Sequence, residues 1–135
     1  MLLHNDGLID LDYDAATDVL TVRWPDIDSA ANAELHYSFL RLNDTIRRYD
    51  IKKLLIDSRY NKVQVKEVEY DALMKELCEG LKSSRLMKTA RLGSLDQTRE
   101  PKAEKHANRL IKELQPPFAF KNFMSKPHAL QWLQS

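Results

Sequence analysis

Ile51-Lys52-Lys53-Leu54-Leu55-Ile56-Asp57-Ser58 is the stretch on which the fold turns. Leu54-Leu55-Ile56 is too short for a helix and wholly apolar, so neither of its faces is fit for water. That pattern predicts a central strand buried on both sides, which Asp57 and Ser58 terminate. A strand buried on both sides needs helices above and below the sheet.

The flanking segments supply them. Upstream, Leu35, Phe39, Leu42, Ile46 and Tyr49 recur at steps of four and three from about Ser29 to Tyr49, one stripe of a helix closed by Asp50. Further back, Leu8 to Tyr13 alternates apolar and polar residues, Asp14-Ala15-Ala16-Thr17-Asp18 supplies a turn, and Val19 to Trp24 reads as a second strand. Together they predict an antiparallel hairpin that Pro25 ends, because proline cannot donate to a ladder. Downstream, Tyr70, Leu73, Met74, Leu77, Cys78 and Leu81 give a wide apolar face to a helix over 67–81, with Gly80 near its end. Residues 88–95 read as a strand. Pro101 suits the first turn of a third helix whose face holds Ala103, Ala107, Leu110, Ile111 and Leu114, and Pro116-Pro117 stops it. A last strand covers 118–123, its phenylalanines undecided between core and surface. Ser125 caps a final helix carrying Ala129, Leu130, Trp132 and Leu133.

Strands that alternate with helices predict an α/β fold: a mostly parallel mixed sheet with an antiparallel N-terminal hairpin edge, flanked by about four helices. The bulk numbers agree with one domain over residues 1–135. Of 135 residues 43% are apolar and 30% charged, and only three are glycine, with no run that would serve as a linker. Cys78, the single cysteine, excludes an internal disulfide and a cysteine zinc site. The opening Met1-Leu2-Leu3-His4-Asn5-Asp6 lacks a secretory pattern, and no stretch approaches the roughly 18 apolar residues of a membrane span. Cytoplasm is the default compartment.

Net charge is +1, but its distribution is uneven. Residues 1–34 hold eight acids against Arg23, whereas residues 82–112 hold nine bases against Asp96, Glu100 and Glu104. Two solvated faces of opposite sign account for this; so would complementarity with a partner or with a second copy of the chain.

Leu11-Asp12-Tyr13-Asp14 with Asp18-Val19-Leu20, the stretch Ile51 to Asp57, and the closing Phe123 and Ala129-Leu130-Gln131-Trp132-Leu133 carry a resemblance. In these landmarks and in element order the chain resembles the STAS superfamily, in particular its SpoIIAA-like single-domain branch. The resemblance spans nearly the whole chain, and its motifs are apolar and structural. It implies a sheet of four or five strands flanked by helices and a role in binding rather than catalysis. In anti-sigma-factor antagonists of this kind, the helix after the buried strand opens with an Asp-Ser-Ser-Gly-like stretch whose serine is phosphorylated. Here that helix opens with Val65-Lys66-Glu67-Val68-Glu69, which holds no serine or threonine. Asp57-Ser58 ends the preceding strand and is followed by Arg59-Tyr60, not glycine.

Ligands of open parallel sheets bind outside the carboxyl ends of the strands. Asp57, Ser58 and Arg59 follow the central strand, and Asp96, Thr98, Arg99 and Glu100 follow the next. If those strands are neighbours, Asp57, Ser58, Arg59, Asp96 and Arg99 converge on a site suited to an anion, since arginines fork onto phosphate or carboxylate. The alternative is a network of turn caps and internal ion pairs such as Asp57–Arg99. His4, His36, His106 and His128 stand at no metal-ligand spacing, and His36 beside its apolar stripe reads as partly buried packing. No nucleophile signature, glycine-rich phosphate loop or aromatic-basic interleaving is present, so neither metal, cofactor nor nucleic acid is indicated. The sequence therefore points to a small regulatory or protein-interaction module, acting by docking and as a homodimer if it self-associates. The second class is a binder of a small anionic or apolar ligand. An enzyme comes third.

Overall fold

The computed structural model describes Met1–Ser135 in full. Strands β1 (Leu2–Asn5), β2 (Asp10–Asp14) and β3 (Val19–Arg23) come first, and β4 (Ile27–Asp28) leads to α1 (Asn32–Arg48). Then follow β5 (Lys53–Asp57), β6 (Val63–Gln64), α2 (Glu67–Leu81), β7 (Lys88–Leu92), α3 (Glu100–Leu114), β8 (Ala119–Phe123) and α4 (Lys126–Gln134). The main sheet has six strands in the order β1-β2-β3-β5-β7-β8. The first three are antiparallel, and β3, β5, β7 and β8 run parallel. The architecture is the α/β arrangement expected from the hairpin and the apolar run at Leu54–Ile56, with β5 in the interior of the sheet.

Three features go beyond the sequence reading. The chain start is itself a strand: β1 pairs with β2 and makes the outer edge, which gives six strands where the resemblance implied four or five. Asp6 pins that edge, accepting from Ser38 Oγ at 2.6 Å on α1 and from the amides of Leu8 and Ile9. Short β4 and β6 pair parallel in a separate ladder that steers the chain into α2. Finally, Tyr49 leaves the α1 stripe: it lies one residue past the helix and is exposed, while Leu35, Phe39, Leu42 and Ile46 are buried as the period requires.

Alternation along β5 divides the core. Leu54 faces the larger cluster, which takes in Leu20, Val22, Phe39, Leu42, Ile46, Leu73 and Leu77 under α1 and α2. Leu55 faces the opposite side, where Ala90, Leu92, Ala129 and Leu133 pack under α4. Ser125 caps α4 by accepting from the His128 amide, and Lys88 Nζ closes its other end on the Trp132 carbonyl at 3.0 Å. No helix is long and apolar enough to cross a membrane.

Candidate functional site: a cleft under the third helix

Helix α3 carries an apolar face but does not set it on the sheet. It packs against α2, and of Ala103, Ala107, Leu110, Ile111 and Leu114 only Leu110 is buried. Polar contacts hold the helix instead. At its start Glu100 accepts from Arg91 Nη1 and Nη2 at 2.9 and 2.8 Å, and from the Ser94 amide at 2.8 Å. Two turns on, Asn108 Oδ1 accepts from Asn122 of β8 at 2.8 Å, and Asn122 in turn accepts from Arg91 at 3.1 Å. On the other side His106 and Arg109 reach Asp71 of α2 at 2.7 and 3.1 Å, and Arg109 also holds Glu67 at 2.9 Å.

Beneath this helix is a half-open cleft of about 870 Å³. Its floor is one face of the sheet, Leu54 and Ile56 of β5, Thr89 and Arg91 of β7 and Phe120 of β8; α2 contributes Tyr70, Met74, Leu77 and Cys78. The split on α2 explains why its apolar face is so wide: Leu73, Leu77 and Leu81 are buried, whereas Tyr70, Met74 and Cys78 are half-buried along the cleft side. Burial pushes the Cys78 thiol and the Tyr70 phenol up, so both stay protonated at neutral pH. Phe118 and Phe120 line the cleft, while Phe123 packs on Trp132 across the sheet, centroids 5.7 Å apart.

The parallel strands give the cleft a direction. Its carboxyl end holds Ser58, Asn61, Ser94, Arg99 and Lys102, and its amino end holds Leu81, Leu114, Phe118 and Phe120. One wall is polar and basic, the other apolar.

The two strand ends lie side by side, since β5 and β7 are neighbours, but the five residues do not converge on one site. Ser58 donates its hydroxyl to the Leu92 carbonyl, and the Leu95 amide donates to the Arg59 carbonyl at 3.1 Å. Their charges pair differently from the Asp57–Arg99 bridge considered above. Arg59 lies two residues from Asp57 and forks onto it at 2.9 and 2.8 Å, so it reaches the carboxylate first. Burial works to raise the Asp57 carboxyl, but those bonds outweigh it and hold it below the ordinary range. Arg99 instead donates to the Asn61 carbonyl at 2.6 Å. Asp96 is an exposed turn residue that accepts from the hydroxyl and amide of Thr98. Ser58 and Arg99 thus face the cleft, Asp57 faces a smaller hollow beside Trp24 and Tyr60, and Arg59 and Asp96 face neither.

Sequence reasoning missed Thr89, Arg91, Asn122 and the cleft itself. A signal was present: Thr89 and Arg91 alternate with Ala90 and Leu92, placing two polar groups on one face of the strand. Gly93 belongs to the same arrangement, since a Cβ there would come within 2.5 Å of Glu100 Oε2. His106, Asp71 and Glu67 lie close enough together to hold a cation, but the Arg109 guanidinium already occupies both carboxylates. His36 pairs with Glu76 at 2.8 Å on the outer surface between α1 and α2.

Thr89 is 2% exposed and its hydroxyl has no hydrogen-bond partner in the fold. Replacing an unsatisfied buried hydroxyl by a methyl of the same shape is nearly neutral or stabilising. Thr89→Val should therefore leave the urea midpoint unchanged or raise it. A loss of more than about 1 kcal/mol would show that the hydroxyl has a partner after all.

No protein-family model matches the chain, and no curated protein is significantly similar to it in sequence. Among solved structures, apo-SiaC from Pseudomonas aeruginosa matches 90% of this chain and 98% of its own length, with a TM-score of 0.50 at 14% identity. The diguanylate cyclase SiaD in complex with its activator SiaC, from the same organism, matches 91% of this chain and 99% of the matched chain, with a TM-score of 0.45 at 14% identity. The mixed sheet with antiparallel N-terminal strands and four helices is thus the fold of SiaC, reached by a sequence 14% identical to it.

Proposed function

We propose that the chain is a small regulatory module of STAS-like type that works by docking a protein partner, and that it is not an enzyme. A shared fold does not assign a function, and the weight falls on the surface. The observation that carries the reading is the apolar edge made by Tyr60, Leu95 and Met124. Each follows a different strand of the neighbouring set β5, β7 and β8, and each is more than half exposed. Exposed apolar groups gathered at one edge mark an interaction surface, whereas single scattered ones do not. The polar groups behind them are occupied with one another: Asp57 with Arg59, Glu100 with Arg91, Ser58 with the Leu92 carbonyl. Nothing in that set pairs a free nucleophile with a free base. Ser58 is buried with its hydroxyl donated, which removes it as a phosphorylation switch in this conformation.

Affinity-tagged wild type, Leu95→Glu/Met124→Glu and Leu40→Glu test this. Leu40 is an exposed control on α1. A specific partner should be retained by wild type and Leu40→Glu and reduced at least tenfold in the edge variant. Undiminished recovery with the edge variant would sink the edge as the docking surface. Light scattering across concentration and salt asks whether the partner is a second copy. A strict monomer at low salt removes self-association, and a salt-insensitive dimer removes the opposed charge blocks as its cause.

The cleft favours a second reading, a binder of a small ligand. Its volume of about 870 Å³ falls within the range of ligand pockets, roughly 300–1,000 Å³. Of the strand-end residues, Ser58 and Arg99 are assigned to that ligand; Asp57 and Arg59 are locked on each other, and Asp96 serves the turn before α3.

A further inference from the structure

We propose that the cleft takes a free single-chain amphiphile with an anionic head, the head at Arg99 and Lys102 and the chain running beneath α3 toward Leu114 and Phe118. The inference rests on the reading of the cleft as a ligand site and adds the class of ligand.

The head is argued from charge. The acids around the cleft mouth are already taken: Glu100 by Arg91, and Glu67 and Asp71 by His106 and Arg109. Asp96, the remaining acid before α3, is turned to Thr98. Arg99, Lys102 and Lys105 all line the cleft and are left without a carboxylate partner. The Arg99 guanidinium donates through Nη1 to the Asn61 carbonyl, which fixes its plane and leaves other N–H groups to fork onto a carboxylate or phosphate. A neutral ligand would leave this excess positive charge unanswered.

The tail is argued from what lies at the other end. Beyond Arg91 the floor becomes Leu54 and Phe120, the roof Leu110, Ile111 and Leu114, and the far wall Phe118. An apolar face of this extent, left half-buried by a helix fixed through polar contacts, gains from contact with a chain that removes it from water. A compact anion such as phosphate would not use it.

Thr89 adds an independent observation. It lines the floor two residues before Arg91, is nearly fully buried, and its hydroxyl has no hydrogen-bond partner in the fold. Unsatisfied buried polar groups are rare in native folds and call for an explanation. A polar substituent part-way along the ligand chain supplies it.

Trp24 also lines the cleft, so its indole reports occupancy; Trp132→Phe removes the other tryptophan, which lies across the sheet. In that background, dodecanoate below its micelle concentration should give a saturable change in Trp24 emission. 1-Dodecanol should bind at least tenfold more weakly, and inorganic phosphate should give no change. Arg99→Gln/Lys102→Gln should weaken dodecanoate at least tenfold, to the level of dodecanol, without altering dodecanol binding. Ala107→Phe, which fills the cleft, should weaken both; its fold is checked by circular dichroism, and the charge variants carry the test if that substitution is not tolerated. Equal affinity for dodecanoate and dodecanol would overturn the anionic class while leaving a ligand cleft intact. No response to either would overturn both, as would binding to phosphatidylglycerol vesicles without binding of free dodecanoate overturn the free-chain source.

Discussion

Arg91→Met should destabilise the protein by about 3–5 kcal/mol, because it strands a buried carboxylate whose only ion-pair partner is removed. The pair is deep: the Arg91 and Glu100 side chains are 11% and 8% exposed, and both terminal guanidinium nitrogens, Nη1 and Nη2, are used. Methionine keeps much of the volume, so the loss reports charge rather than a cavity. The effect should depend on pH with a definite sign. Burial works to raise the Glu100 carboxyl, but Arg91 and the Ser94 amide outweigh it and hold it below its ordinary value of 4.5. A carboxyl depressed in the folded state contributes stability that is fully present above that value and is lost as pH falls through the depressed one. Asp57, held down by Arg59, acts in the same direction, so wild type should weaken progressively in acid. In Arg91→Met the same burial is opposed only by the Ser94 amide and the more distant Arg99 charge, and protonating Glu100 relieves the stranded carboxylate. The gap between wild type and variant should be widest near neutral pH, narrow as pH falls toward 4.5, and close only below the depressed Glu100 value of wild type. Urea midpoints at pH 7 and pH 4 measure it. A gap that stays constant would mean that Glu100 is not the origin of the loss. The double variant Arg91→Met/Glu100→Met should recover much of it at pH 7, since an apolar pair of similar volume replaces a buried ion pair at little cost.

How far the sequence went can be judged from two helices. For α1, the apolar inward positions Leu35, Phe39, Leu42 and Ile46 were legible because they repeat at the helical period and pack on a continuous floor. Buried Ser38, Asn43 and Thr45 were not, and Tyr49 reads inward but is exposed. For α3 the same period located the apolar face, but periodicity says only that residues share a face, not that anything lies against it. What lifts α3 off the sheet is a set of polar contacts from residues far apart in sequence: Arg91 with Glu100, Asn122 with Asn108, Asp71 with His106 and Arg109. No local pattern announces such partners. Parallel β5 and β7 are adjacent, the condition the strand-end reading set, although β7 stops at Leu92 and not at residue 95. Asp57 pairs with the arginine two residues away in place of Arg99. The edge strand β1 escaped notice for a related reason: four residues with exposed ends carry no burial pattern, and their pairing with β2 is set by the hairpin beside them.

Phe39→Ala should cost about 3–5 kcal/mol, the range for truncating a buried phenylalanine. Phe39 is at the middle of the α1 stripe, buried, with its ring 5.0 Å from that of Trp24. Three effects add: the ring's burial is lost, a void opens between α1 and the sheet, and the aromatic pair, worth about 0.5–1.5 kcal/mol beyond area, disappears. Tyr37, two residues earlier on the same helix, is more than half exposed, so Tyr37→Ala should move stability by no more than about 0.5 kcal/mol. Equal midpoints for wild type and Phe39→Ala would mean that α1 presents its other face to the sheet. The variant also separates support from binding. Trp24 rests on Phe39 on one side and lines the cleft on the other, so deleting the ring frees the indole to shift into the space it leaves. The folded variant should show altered Trp24 emission before any ligand is added, whereas Arg99→Gln, which shares the carboxyl end of the cleft with Trp24 but deletes nothing the indole is seen to pack on, should alter it less. Binding changes seen in Phe39→Ala would then trace to the cleft wall, and those in Arg99→Gln to the charge at its mouth.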